Sequence, residues 1–152
     1  MIEEGPDSEQ IELLDQAKKE FVPILEKFGL RLSQDSASRY FAELVFSGQG
    51  PSVKVAWSLF PTDYPYNVSV LLGWADSHPR FVTLYEVVRK LDPTRQWVVL
   101  DVPGYGSNGF LAALDLLSSY LPFILSLDRK GFDDWLGPDT PNVIWEDRTP
   151  KC

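Results

Sequence analysis

The run Gly104-Tyr105-Gly106-Ser107-Asn108-Gly109 is where residue type and spacing come nearest to a recognisable chemistry. It follows a short apolar run and precedes a long one. In a dinucleotide-binding fingerprint, such glycines let the backbone approach a pyrophosphate at a helix N-terminus, and a later carboxylate meets the ribose. Asp128 stands at a suitable distance to be that acid. Three features oppose the reading. Val102-Pro103 implies a bent exit where a tight turn is needed, and Pro122 interrupts the apolar run that should hold a second parallel strand. The chain after Asp128 is also short for the strands and helices such a fold still requires. No Lys-Ser or Lys-Thr pair follows the glycines, which excludes a phosphate-binding P-loop. An anion at this helix end and a plain glycine-rich cap both stay open.

Other reactive groups are sparse. His78 is the only histidine and stands in Asp76-Ser77-His78-Pro79-Arg80, a polar loop context in which a general base for a serine or cysteine is not expected. Asp133-Asp134 lacks the alternating oxygen ligands of a calcium loop and is expected to cap a short helical turn. A pair of carboxylates alone can hydrolyse a glycoside, and Glu43 and Asp101 are the acids nearest the expected strands. Glu43 is expected to point to solvent and Asp101 to hydrogen-bond within the glycine-rich loop. These residues imply no catalytic set, metal or cofactor. Tyr64-Pro65-Tyr66 beside Asp63 offers more, because tyrosines on a proline-stiffened loop give a large contact area at low entropic cost. Asp63, Tyr64, Tyr66, Asp101 and Tyr105 form the expected partner-binding set.

The elements that must position these groups follow from periodicity. Asp7 with Gln10 has capping-box spacing, and Ile11, Leu14, Phe21, Leu25 and Phe28 then recur as one helical stripe. Glu9, Glu12 and Asp15 precede Lys18, Lys19 and Lys27, the order the helix dipole favours. Pro23 should kink this helix and Gly29 should stop it, with Leu30 folding back. Residues 39–46 alternate, with Tyr40, Leu44 and Phe46 on one face. Val53, Val55, Trp57 and Leu59 alternate next, then Val68, Val70 and Leu72. Thr83 with Glu86 makes a second capping box before Leu84, Val87, Val88 and Leu91. Trp97 to Val102 is consistent with a fourth strand, and an almost wholly apolar helix begins at Phe110. The expectation is an α+β domain over 1–152, with an antiparallel sheet of three to four strands covered by helices. The order is α-β-β-β-α-β-α, and 138–152 is an irregular tail.

Composition supports a folded core without staples: 44% hydrophobic and 13% aromatic residues. Cys152 is the only cysteine, so neither an intramolecular disulfide nor a thiolate cluster can form. The first residues lack the basic and apolar regions of a signal peptide, so a cytoplasmic location is expected. The apolar stretch 110–127 contains Asp115, Pro122 and serines, and is expected to be a buried helix rather than a membrane span. The net charge of −8 argues against binding nucleic acid or anionic lipid. It favours solubility and a basic protein partner.

Phe21-Val22-Pro23-Ile24-Leu25-Glu26-Lys27-Phe28-Gly29-Leu30 leads into strands and a helix. Later come Leu121-Pro122-Phe123-Ile124-Leu125 and Gly131-Phe132-Asp133-Asp134-Trp135-Leu136. In element order and apolar pattern the sequence resembles a class of small bacterial α+β proteins, some of which look like immunity proteins encoded beside secreted toxins. That resemblance implies a non-enzymatic module neutralising a basic protein toxin, and implies no site residue. The element order is also similar to type III secretion chaperones, which are acidic, cytoplasmic and dimeric and have two strands between their last two helices. A third alternative is a nucleotide- or anion-binding protein using Gly104–Gly109.

Overall fold

The computed structural model of the chain describes residues 5–58, 68–94 and 107–138. Helix α1 runs Ser8–Lys27 and starts where the capping pattern placed it. Asp7 is extended, and its carboxylate accepts from the Gln10 N–H at 3.0 Å. The reciprocal half of the capping box is not made, because the Gln10 side chain turns inward and is fully buried. Ile11, expected in the apolar stripe, is instead 47% exposed. The helix passes through Pro23, which lies on its exposed side. It ends at Gly29, whose φ of 82° opens a Schellman turn: Gly29 N–H donates to Glu26 O and Leu30 N–H to Leu25 O, both at 3.0 Å. Leu30 is buried in the same core as Leu25.

Five strands follow: β1 Arg31–Ala37, β2 Phe41–Ser47, β3 Ser52–Ser58, β4 Val68–Trp74 and β5 Arg80–Thr83. They form one antiparallel sheet in the order β1-β2-β3-β4-β5. The α+β class is therefore as expected, but the sheet of three to four strands is corrected to five among the described residues. The two unforeseen strands are the edges. β1 is exposed or half-exposed throughout and so carries no apolar alternation to read. β5 has only four residues. The order is corrected too: helix α2 (Leu84–Leu91) follows five consecutive strands, where three were expected. The expected strand over Trp97–Val102 and the tail from 139 lie outside the described residues.

Strand pairing sorts the side chains by face. Ala42, Leu44 and Phe46 of β2 lie across from Trp57, Val55 and Val53 of β3, and Val70, Leu72 and Trp74 continue the face on β4. Tyr40, expected on this face, instead lies in the bend before β2. Helices α3 (Ser107–Leu125) and α4 (Arg129–Leu136) join α1 and α2 in covering it, in one apolar core. Phe110 holds the seam between α3, α1 and the sheet, with edge-on contacts to Trp57 (5.0 Å between centroids) and Phe21 (6.3 Å). The Thr83 hydroxyl accepts from the Glu86 N–H at 3.1 Å, so the second helix start is as expected. Gly73 meets β5 so closely that a Cβ there would lie 2.0 Å from the Arg80 carbonyl oxygen.

Among the described residues no single helix is long and apolar enough to cross a membrane. Phe110–Leu125 and Arg129–Leu136 reach the necessary length only together, across a bend of 113°.

Candidate partner-binding surface

The five residues expected to bind a partner, Asp63, Tyr64, Tyr66, Asp101 and Tyr105, lie outside the described residues, as do Gly104–Gly106. Residues 107–109 enter only as the first turn of α3. The dinucleotide reading has no support in what is described. The sheet is antiparallel throughout, α3 leads to α4 with no strand between them, and Asp128 caps α4 by accepting from the Gly131 N–H at 2.7 Å.

That cap corrects the expectation for Asp133-Asp134. Asp133 sits inside α4 and joins two arginines: Arg80 Nη1 donates to its Oδ1 at 3.0 Å and Arg129 Nε to its Oδ2 at 3.1 Å. Arg80 Nη2 also donates to Gly137 O at 2.8 Å. Arg129 continues to both oxygens of Asp76 at 3.1 Å and to His78 O at 2.8 Å. Burial pushes the Asp133 carboxyl up, but the hydrogen bonds and charges of Arg80 and Arg129 outweigh it and hold it below the ordinary carboxylate range. The network fastens α4 to the β4–β5 turn. His78 is exposed on that turn, and its N–H donates to Asp76 Oδ1.

Glu43 is corrected as well. It lies on the sheet face away from the helices, where its Oε2 pairs with Lys54 Nζ at 3.1 Å. The Lys54 side chain is only 8% exposed and that of Glu43 20%, so neither is a freely solvated charge. Ser52 and Phe81 are buried on the same face. A half-open cavity of about 280 Å³ lies there, with Val45, Ser47, Lys54 and Phe81 in its wall. Among the described residues, no three His, Cys, Asp or Glu side chains come together as a metal site would require.

The feature the sequence did not single out is the outer side of α1. Glu9, Glu12 and Asp15 are exposed and follow one another at a spacing of three, so they form a row winding along the helix. Ile11 lies beside that row, one turn before Asp15. Of the three carboxylates, Asp15 is the one that neighbours Ile11 on the helix surface, and Ile11 is 47% exposed there.

The row has a fixed position because the start of α1 is tied down from within. Gln10 Nε2 donates to Ser38 O at 3.0 Å, and Trp57 Nε1 donates to Gln10 Oε1 at 2.8 Å. One buried amide thus links α1 to the β1–β2 turn and to β3. Lys18 pairs with Asp35 of β1 further along. Gln10 and Ile11 are adjacent on the helix, and Gln10 is the one that faces inward. The indole N–H of Trp57 needs an acceptor, which selects the amide.

No protein-family model, curated protein or solved structure matches this chain.

Proposed function

We propose that this chain is a non-enzymatic protein-binding module, of the immunity type, that captures a basic protein such as a toxin on its acidic surface. The observation that carries the reading is the exposed row Glu9, Glu12 and Asp15, with Ile11 beside Asp15, on a helix anchored by Gln10. The net charge of −8 adds a long-range field of the same sign. Such a field speeds encounter with a cation-rich surface and repels acidic competitors. A fixed helix presents the charges without an ordering cost at the moment of binding.

The test is association kinetics with the basic product of the adjacent reading frame. The triple variant Glu9→Lys, Glu12→Lys, Asp15→Lys should lower the association rate about tenfold or more at low salt, with a smaller effect at high salt. No complex, or a rate indifferent to both the reversal and the salt, rejects the reading.

A further inference from the structure

We infer that β1 is a docking edge that takes up a short extended segment bearing alternating cationic and aliphatic side chains, contributed by the partner. The inference rests on the acidic-surface reading above and adds how the partner is held.

The ladder geometry gives the first argument. Ser38 N–H donates to Phe41 O at 2.7 Å and closes the β1–β2 hairpin, so Ser38 and Phe41 form a hydrogen-bonded pair. Such pairs alternate with non-bonded ones along an antiparallel ladder. Counting back through the register, Ser36↔Glu43 and Gln34↔Val45 are bonded pairs, whereas Ala37↔Ala42 and Asp35↔Leu44 are not. The N–H and C=O groups of Asp35 and Ala37 therefore point away from β2, along the sheet's outer edge. No described element pairs with that edge, and Gln34, Asp35 and Ser36 are exposed. The register shift between Leu32 and Gln34 limits the usable ladder, with Ser33 Oγ donating to Val45 O. A short segment fits this window, while a long flat one meets the bulge.

The second argument is the wall beside the edge. The Lys18–Asp35 pair places one flank of α1 over β1. Ile11, Asp15 and Val22 lie seven and three residues before Lys18 and four after it, on the same flank. A strand added outside β1 would turn every second side chain towards Ile11, Val22 and the carboxylate of Asp15. Aliphatic and cationic groups suit that wall. The β1 edge of a second copy, Arg31-Leu32-Ser33-Gln34-Asp35-Ser36-Ala37, lacks that alternation of cationic and aliphatic side chains. Strand addition supplies affinity through main-chain bonds and specificity through alternate side chains.

Three peptides, measured by fluorescence anisotropy against the full chain, form the test. One is an eight-residue alternation of lysine and valine, one alternates glutamate and valine, and one is the lysine peptide N-methylated at every amide. N-methylation keeps the charge and removes the ladder donors. The lysine–valine peptide should bind, the glutamate peptide should not, and N-methylation should weaken binding at least about tenfold. The amides of Asp35 and Ala37 should gain protection from hydrogen exchange when the lysine peptide is added. Equal binding of the methylated peptide, or no protection at those two amides, overturns the docking edge but leaves the acidic-surface reading standing. Binding of the basic protein without any peptide binding does the same. Failure of both peptide and protein removes both proposals. Protection of Asp35 and Ala37 in the chain alone, with a dimer mass in light scattering, shows self-pairing and also overturns it.

Discussion

Replacing Gln10 by leucine tests whether one buried amide holds α1 in place. The change keeps the side chain's approximate size and deletes both hydrogen bonds, leaving Trp57 Nε1–H without its acceptor and Ser38 O without the Gln10 donor. An unpaired buried donor or acceptor costs about 1–3 kcal/mol. Gln10 is fully buried and Trp57 2% exposed, so the indole N–H should carry the upper part of that range. Ser38 is only half-buried, and water can replace part of its loss. The expected destabilisation is therefore about 2–4 kcal/mol, a large share of the 5–15 kcal/mol typical of a domain. Urea unfolding followed by far-ultraviolet circular dichroism reads it as a lower midpoint at unchanged slope. The cycle with Trp57→Phe separates the bond from packing, since the phenyl ring has no N–H left to satisfy. A coupling of about 1–2 kcal/mol between the two substitutions is expected. A Gln10→Leu cost below about 0.5 kcal/mol, or no coupling, refutes the argument.

Three further outcomes follow from the same geometry. Gly73→Ala should cost about 2–3 kcal/mol in urea unfolding, because the new methyl would fall 2.0 Å from Arg80 O and 2.7 Å from the Phe81 Cα, and backbone cannot yield as a side-chain tip would. Asp133 titrates below its unfolded value, so its contribution to stability is complete above the ordinary aspartate range near pH 3.9 and is lost as pH falls through the lower folded value. Asp133→Asn should therefore be less stable than the parent near neutral pH and converge with it in acid, as urea midpoints at several pH values would show. Lys54→Met should destabilise by about 2–3 kcal/mol, because it strands the mostly buried Glu43, and Glu43→Leu in the same chain should recover much of the loss. Additive losses in that double variant would contradict the pairing.

What the sequence made legible was whatever repeats with a period or closes a local ring. The Asp7 and Thr83 caps, the Gly29 stop and the alternating strands β2 to β4 each carry such a signal within a few residues. β1 carries none, because an edge strand with both faces half-wet has no apolar alternation. β5 is shorter than the window in which alternation can be counted. Apolar periodicity places Ile11 inside, and capping-box spacing turns Gln10 back to the helix start. The tertiary requirement of a tryptophan N–H reversed them, and no local pattern records that requirement. Glu43 and Asp133 failed in the same way. Glu43 is held by Lys54 on another strand and Asp133 by Arg80, both invisible to local spacing, although Arg129, four residues before Asp133, lies within its reach. The expected tyrosine-bearing set lies outside the described residues, and the acidic row of α1 was read only as agreement with the helix dipole.

These reversals share a cause that bears on function. An acidic protein can gain solubility from carboxylates anywhere on its surface, so charge alone does not select a binding face. Selection requires that some charges be held rigidly while others are already neutralised. Asp133, Asp76, Glu43, Glu86 and Asp35 are each spent on an arginine or lysine that fixes one element to another or braces a helix turn. Glu9, Glu12 and Asp15 are not spent in this way in any described ion pair, yet they stand on the segment that Gln10 fastens to the sheet. The combination of uncompensated charge and a fixed backbone is what an electrostatically complementary interface needs, because a mobile helix end would lose in ordering what its carboxylates gain in attraction. Glu26, Asp115 and Asp134 are also exposed outside any described ion pair, but they stand singly, whereas at the start of α1 three such carboxylates follow one another at a spacing of three.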